Sequence, residues 1–274
     1  MFNKLLSFLL IVGLTMCFCD VILAQGKRKN SIGIAFGGSN FHILDKHATE
    51  LIYSGTGIAP SIIFSHLGQK NNHIVEGKFY FNNLHTTSDN FKLLINTGHL
   101  RYTFLRILLT KNLFSNPFYL SAGASACSFY SKYDYRFYLQ SIWANSIESW
   151  YGSQSADVVI NISYFPCENH YLEISLFMPI LSNVSRPAYS ASGDYDYKKN
   201  DWEIKPFGNN QLISENFVFN TKIGYTYDLK NRLSFKAKHE FFYARNQYPD
   251  RLKLFMNNFR MVIIYNFKIS KQEL

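Results

Sequence analysis

The stretch from Asn257 to Ile269 alternates so regularly that it restricts the folds open to this chain more than any other segment. One parity carries Phe259, Met261, Ile263, Tyr265, Phe267 and Ile269; the other carries Asn258, Arg260, Val262, Ile264, Asn266 and Lys268. Successive side chains of a strand point to opposite faces, so the segment reads as a strand with one apolar, aromatic-ended face and one mixed polar face. A soluble sheet hides such a greasy face in a core, whereas a membrane barrel turns it to lipid.

Composition favours the second arrangement. Aromatic residues are 17% of the 274-residue chain, with 25 Phe and 19 Tyr, and charged residues are also only 17%. A soluble domain carries nearer a quarter charged residues, so this balance suits an outer surface built from rings. Residues 1–24 carry Lys4 followed by the apolar run Leu5 to Cys19 and the small-residue end Ile22-Leu23-Ala24. That pattern predicts a secretory signal peptide. Residues 25–30 are expected to be a periplasmic lead-in and 31–274 the barrel. No later segment is long and apolar enough for a spanning helix.

Ten segments fit the strand pattern: Ser31 to Ile43, Thr56 to Ser65, His73 to Asn82, Thr97 to Leu108, Phe118 to Tyr130, Ala156 to Phe165, Tyr171 to Leu181, Phe217 to Leu229, Arg232 to Tyr243, and the opening stretch. Short joints alternate with longer ones, as in bacterial barrels with tight periplasmic turns and larger outer loops. The fold class expected is therefore all-β, a transmembrane antiparallel up-and-down barrel of about ten strands, with eight or twelve as alternatives. The long stretch holding Trp143 and Trp150 is expected as an outer loop, and so is Asn183 to Glu215. The seven prolines are expected at turns, loops and strand ends, with Pro60 and Pro179 near outer ends.

Energy decides which parity faces in. A lysine facing lipid near the midplane costs about 2–4 kcal/mol, so Lys236, Lys238 and Glu240 belong inside, opposite Leu233, Phe235 and Phe241. The same reasoning turns Glu76, Lys78, Arg101, Asp157, Glu173, Asn220, Lys222 and Arg260 inward. It leaves His239 and Arg106 on the lipid parity. Arg106 lies near the inner rim, where a long side chain can snorkel; His239 calls for a bulge or a local change of register.

With these residues in place, the chain resembles the small outer-membrane β-barrel proteins of Gram-negative bacteria from Ser31 to Ile269. Its Phe, Tyr, Asn and Lys richness is similar to that of barrels of the Bacteroidota. The resemblance implies residence in the bacterial outer membrane, with lipid, lipopolysaccharide and the barrel insertion machinery as partners. Phe267 resembles the terminal aromatic residue that such machinery recognises, although Lys268 to Leu274 continue past it.

No pattern nominates a catalytic, cofactor-binding or metal residue outright. His99, His170 and His239 lack the ligand spacing of a zinc site, and phosphate-binding glycine loops are missing from the sequence. Asp45 with His47, and Asp194 with Asp196, resemble the Asp/His and Asp/Asp pairs with which omptin proteases activate water, in reversed chain order; two solvated turns are the simpler reading. Cys127 and Cys167 fall on neighbouring strands, as free thiols or as a pair. The net charge of +9 is spread without a basic helix, which argues against nucleic acid.

The inward charges either brace the interior as mutual pairs or line a narrow path, which would prefer anions. The outer loop from Ser185 to Ser214 sets Tyr189, Tyr195, Tyr197, Trp202 and Phe207 among Lys198, Lys199 and Lys205. Rings beside bases suit a carbohydrate or protein ligand at the cell surface. Surface binding or a structural role is the function expected, with a narrow channel or an omptin-like protease as alternatives.

Overall fold

The computed structural model describes residues 29–267 apart from 47, 69, 88–90, 115, 140–141, 168, 187–207, 230–231 and 249. The expected signal peptide, the start of the lead-in and the tail from Lys268 lie outside the described residues. Twelve strands follow one another: β1 (Lys29–Asp45), β2 (Ile52–Ile58), β3 (Ser61–Leu67), β4 (Asn71–His85), β5 (Phe91–Leu113), β6 (Asn116–Leu139), β7 (Ile142–Cys167), β8 (His170–Ser185), β9 (Asn209–Leu212), β10 (Asn216–Leu229), β11 (Leu233–Asn246) and β12 (Leu252–Phe267). All pairings are antiparallel, and β1 pairs with β12, so the sheet closes on itself.

The ring has ten staves. β2 and β3 are two halves of one stave, held between β1 and β4 in an unbroken register. β9 is a short addition to the outer end of β8. The expected count of ten is therefore the number of staves, and each predicted segment falls on one of them, the ninth from Leu233 and the tenth as far as Phe267, the last described residue.

Closure can be followed residue by residue. From Phe41 the pairing runs through Met256, Phe242, Asn220, Phe177, Val159, Gly123, Leu105, Asn72 and Leu67 to Lys29, twelve residues before the start. A shift of this size over ten staves inclines the strands by about 40° to the barrel axis, within the usual range.

The exterior is an apolar belt. Ile34, Phe36, Ile62, Phe79, Leu100, Ile160, Ile174, Ile223, Phe259 and Ile263 all point outward, with Phe36 69% exposed. Their strand neighbours on the other parity, such as Ala35, Lys78, Arg101, Val159, Lys222 and Arg260, are buried. Rings gather near the two edges of the belt: Tyr225, Tyr227 and Tyr265 toward the turn side, Phe81, Phe217 and Tyr243 toward the loop side. A closed ring leaves no unpaired strand edge, which is what hydrocarbon demands of a β-structure. Closure, an apolar belt flanked by aromatic girdles and a polar interior together define a transmembrane barrel of the bacterial outer membrane.

Four expectations change. The outer loop expected from Asn183 to Glu215 contains strand at both ends, since Asn183 to Ser185 belong to β8 and Asn209–Leu212 form β9. Pro60 lies in the middle of a stave, between β2 and β3, rather than near its outer end. Its missing N–H interrupts the ladder there, while the Phe79 amide still donates to the Pro60 carbonyl at 3.0 Å and the Ala59 amide to Gly37 at 2.9 Å. Pro179 lies within β8 at a bulge opposite Ala156 and Asp157, where one extra residue relieves the ladder. The stretch containing Trp143 and Trp150 is strand, because the β6–β7 hairpin continues pairing well beyond the belt.

His239 needs no bulge. It pairs in regular register with Ile223 and Phe259 and faces out among them. Arg106 also faces out, next to Lys70 at the turn end of β5, consistent with a snorkelling position. Gly37 is required by close approach, since a Cβ there would lie 1.9 Å from the Phe259 carbonyl oxygen and 2.7 Å from Cγ of Arg260.

The facing assignment predicts that Ile160→Arg, in the middle of the outward row of β7, costs about 2–4 kcal/mol. Ile213→Arg, exposed outside the strands, should stay within about 0.5 kcal/mol. Denaturant titration of folding into lipid bilayers measures both.

Candidate functional site

The interior and its outer mouth hold nearly every buried charge of the described chain. Inward positions of β4, β5, β7, β10, β11 and β12 converge at mid-depth because each strand must hide its ions from lipid. Two carboxylates organise this layer. Glu76 receives Lys222 and Lys238 at 2.6 Å each, and Lys78 lies 3.3 Å away. Glu240 receives Lys78 at 2.7 and 2.8 Å, Asn220 at 2.9 Å, and the Arg260 guanidinium. The side chains of Lys78, Glu240 and Arg260 are 0% exposed.

A second group sits beside it. Arg101 lies 3.5 Å from Asp157, donates to Asn220 at 3.3 Å and stacks 4.1 Å over the Phe177 ring. Asp157 in turn accepts from Ser125 at 3.2 Å and Ser155 at 2.6 Å. Toward the turn side, Lys236 is ion-paired to Glu173. A Cβ on Gly224 would lie 2.8 Å from Cε of Lys236 and 2.9 Å from Cγ of Glu173, so that glycine makes room for the pair.

All the inward charges expected from sequence are therefore inside, and each is engaged with an opposite charge. Six bases, Lys78, Arg101, Lys222, Lys236, Lys238 and Arg260, meet four carboxylates, Glu76, Asp157, Glu173 and Glu240. Buried N–H groups of Arg101 (Nε) and Arg260 (Nε and Nη1) have no acceptor among the described residues.

Above the ions the lumen changes character. Phe41, Ile43, Tyr53, Leu84, Leu93, Ile95, Tyr133, Tyr135, Leu254 and Met256 form an apolar and aromatic plug. Tyr53 meets Tyr135 edge-on at 5.3 Å, and Phe129 stacks on Phe242 at 5.2 Å. Sequence reasoning missed this plug. Its signal is a reversal of polarity along β1, where Ile32, Ile34 and Phe36 face out low on the strand but Phe41 and Ile43 face in near its top, beside outward Asn40 and His42. A small crevice between plug and ions is lined in part by Arg101, Cys127, Tyr151, Phe177 and Phe242.

Arg186 closes the mouth. Its Nη2 meets Asp45 at 2.7 Å, and its Nη1 donates to the carbonyls of Tyr248 at 3.0 Å and Asp250 at 2.5 Å. Ser149 also donates to Asp45 at 3.4 Å. One guanidinium thus ties together the ends of β1, β8 and β11, and Ser149 of β7 joins them through Asp45. Asp45 is almost fully buried in this latch. His47, Asp194 and Asp196, its partners in the omptin-like pattern, lie outside the described residues.

So do Tyr189, Tyr195, Tyr197, Lys198, Lys199, Trp202, Lys205 and Phe207. Cys127 and Cys167 are free thiols; Cys127 lies 3.1 Å from Nε2 of His99. Among the described residues no group of three or more metal-ligating side chains comes together.

No protein-family model and no curated protein matches the chain. Among solved structures, it is similar to the outer membrane protease OmpT from Escherichia coli at 7% identity and TM-score 0.47, over 89% of this chain and 99% of that one. It is also similar to the beta domain of the Bordetella autotransporter BrkA, at 12% identity and TM-score 0.46, over 88% and 100% of the two chains. A third similar structure is the COG4313 outer membrane channel from Pseudomonas putida F1, at 9% identity and TM-score 0.37, over 86% and 95%. Likenesses this distant say nothing of activity, and the barrel stands on its own pairing, closure and exterior.

Two outcomes follow from this geometry. Glu240→Gln strips a carboxylate from Lys78 and Arg260 at full burial and should cost about 3–5 kcal/mol in urea unfolding from bilayers; adding Lys78→Met should return part of that loss. Arg186→Ala should speed amide hydrogen exchange at Lys46, Ala48 and Thr49, whose amides bond to Arg251 and Asp45, while amides in the middle of β12 keep their protection.

Proposed function

We propose that this chain is a closed outer-membrane anchor that carries a binding surface for a carbohydrate or protein at the cell exterior. One observation carries the reading: the lumen is filled at successive depths, by ion pairs at mid-barrel and by the aromatic plug above them. An ion crossing it would have to part Lys78 from Glu240 and Lys222 from Glu76, each held within 2.7 Å in surroundings that exclude water.

The exterior supports the same reading. β6 and β7, 24 and 26 residues long, rise far past the belt and carry Lys132 paired to Glu148 at 3.0 Å on their exposed face. Ser149 of this wall donates to Asp45, which Arg186 ties to the β11–β12 corner of the mouth. A rigid rim of this kind positions loops, and the aromatic and basic residues of the 185–214 segment supply chemistry suited to sugar rings or a protein face.

A second reading, a narrow path preferring anions, has in its favour the six interior bases against four carboxylates and the unpaired N–H groups of Arg101 and Arg260. Planar bilayer recording with folded protein separates the two. The anchor reading predicts no conductance steps at any voltage that the bilayer tolerates. Steps whose reversal potential in a salt gradient follows the anion would replace it with the second.

A further inference from the structure

The lipid-facing side of β10, β11, β12 and β1 carries a polar patch inside the apolar belt. On β11 the outward row runs Leu233, Phe235, Ala237, His239, Phe241 and Tyr243, which places His239 in its middle. On β10 the row runs Tyr227, Tyr225, Ile223, Thr221, Phe219 and Phe217, with Thr221 again in the middle. Asn257 interrupts the β12 row between Phe259 and Phe255, and it pairs across the ladder with Asn40, which faces out at the loop-side edge of the belt. Registers bring these groups together: His239 lies between Ile223 and Phe259, and Thr221 and Asn257 both flank Phe241.

The remote side of the ring differs. On β5 and β6 the outward residues at the depth of His239 are Leu100, Tyr102, Phe104, Ala122, Ala124 and Ala126, with Ser128 the next polar side chain toward the loop side. Among the described residues no hydrogen bond engages the side chains of His239, Thr221 or Asn257, in contrast to the rim histidines His73 and His170, which meet Tyr102 at 2.8 Å and Tyr225 at 2.6 Å. Hydrocarbon offers such groups no partner, so their exposure costs free energy unless something else covers them.

We infer that this patch is a contact face between two copies of the chain within the membrane. Three features select a second copy over a different protein. The patch bears no fixed charge, and His, Asn and Thr each carry both a donor and an acceptor, so it is complementary to itself. Every copy is inserted in one direction, so a two-fold axis along the membrane normal sets His239 opposite its counterpart at equal depth. Gly38 and Ala237 border the patch with little or no side chain, which lets two barrels approach closely there.

The test uses cysteine cross-linking in native outer membranes, in a Cys167→Ser background because Cys167 is exposed and Cys127 is buried. His239→Cys should give a disulfide-linked dimer under mild oxidation, and Leu100→Cys, on the far side, should not. In detergent, the triple variant Thr221→Val, His239→Leu, Asn257→Leu should associate about tenfold more weakly than the unaltered protein by sedimentation equilibrium. Heat-modifiable migration on gels verifies that each variant is folded, and the single-cysteine arm stands even if the triple variant is not. A wild-type protein that stays monomeric at all concentrations overturns the inference, as do equal cross-linking at both positions or cross-links formed only to another polypeptide.

Discussion

Sixteen consecutive residue pairs join β1 to β12, from Asn30 with Phe267 to Asp45 with Leu252, and the rest of the molecule depends on that seam. A bilayer offers no hydrogen-bond partner for a free strand edge, so the first and last staves must meet. Once they do, side chains can point only to lipid or to the lumen. The twelve-residue shift accumulated around the ring then fixes the tilt of the staves and brings distant segments together inside. Glu76 and Lys222 are 146 residues apart in sequence, and Lys78 and Glu240 are 162.

The parts of the fold legible in sequence are those where lipid imposes a rule. Charges cannot face hydrocarbon, so the inward direction of Glu76, Lys236 and Arg260 follows from parity alone. Their partners do not, because pairing depends on closure and register rather than on local pattern. Above the bilayer the rule lapses. Around Ser131, Lys132, Glu148 and Ser149 both faces of the β6–β7 hairpin carry polar groups, so alternation fades while the ladder continues. Pro60 shows the opposite case, a strong local breaker overridden because the strands on either side keep one register across it.

The interior was legible in kind but not in distribution. The ions occupy mid-barrel and the turn side, whereas the loop side is filled by Phe41, Tyr53, Tyr133, Tyr135 and their neighbours. Physically the two layers exclude water in different ways. Paired ions satisfy one another, and the rings occupy volume that a ten-stave lumen leaves open. Burying so many ions is not in itself a route to stability, since apolar packing can do as well. What the ion layer supplies is a unique set of partners, which only the closed ring in its correct register brings together.

The β6–β7 hairpin has a consequence for how the molecule meets its surroundings. Some twelve residues of each strand stand beyond the belt, and at ~3.3 Å per residue, inclined by about 40°, the crest reaches roughly 30 Å from the hydrocarbon. The β1–β2 and β11–β12 corners end much lower, where Asp45 and Asp250 meet Arg186. Among the described residues the rim is thus a parapet raised along one flank. A large body descending on these strands meets that flank before the low sill opposite.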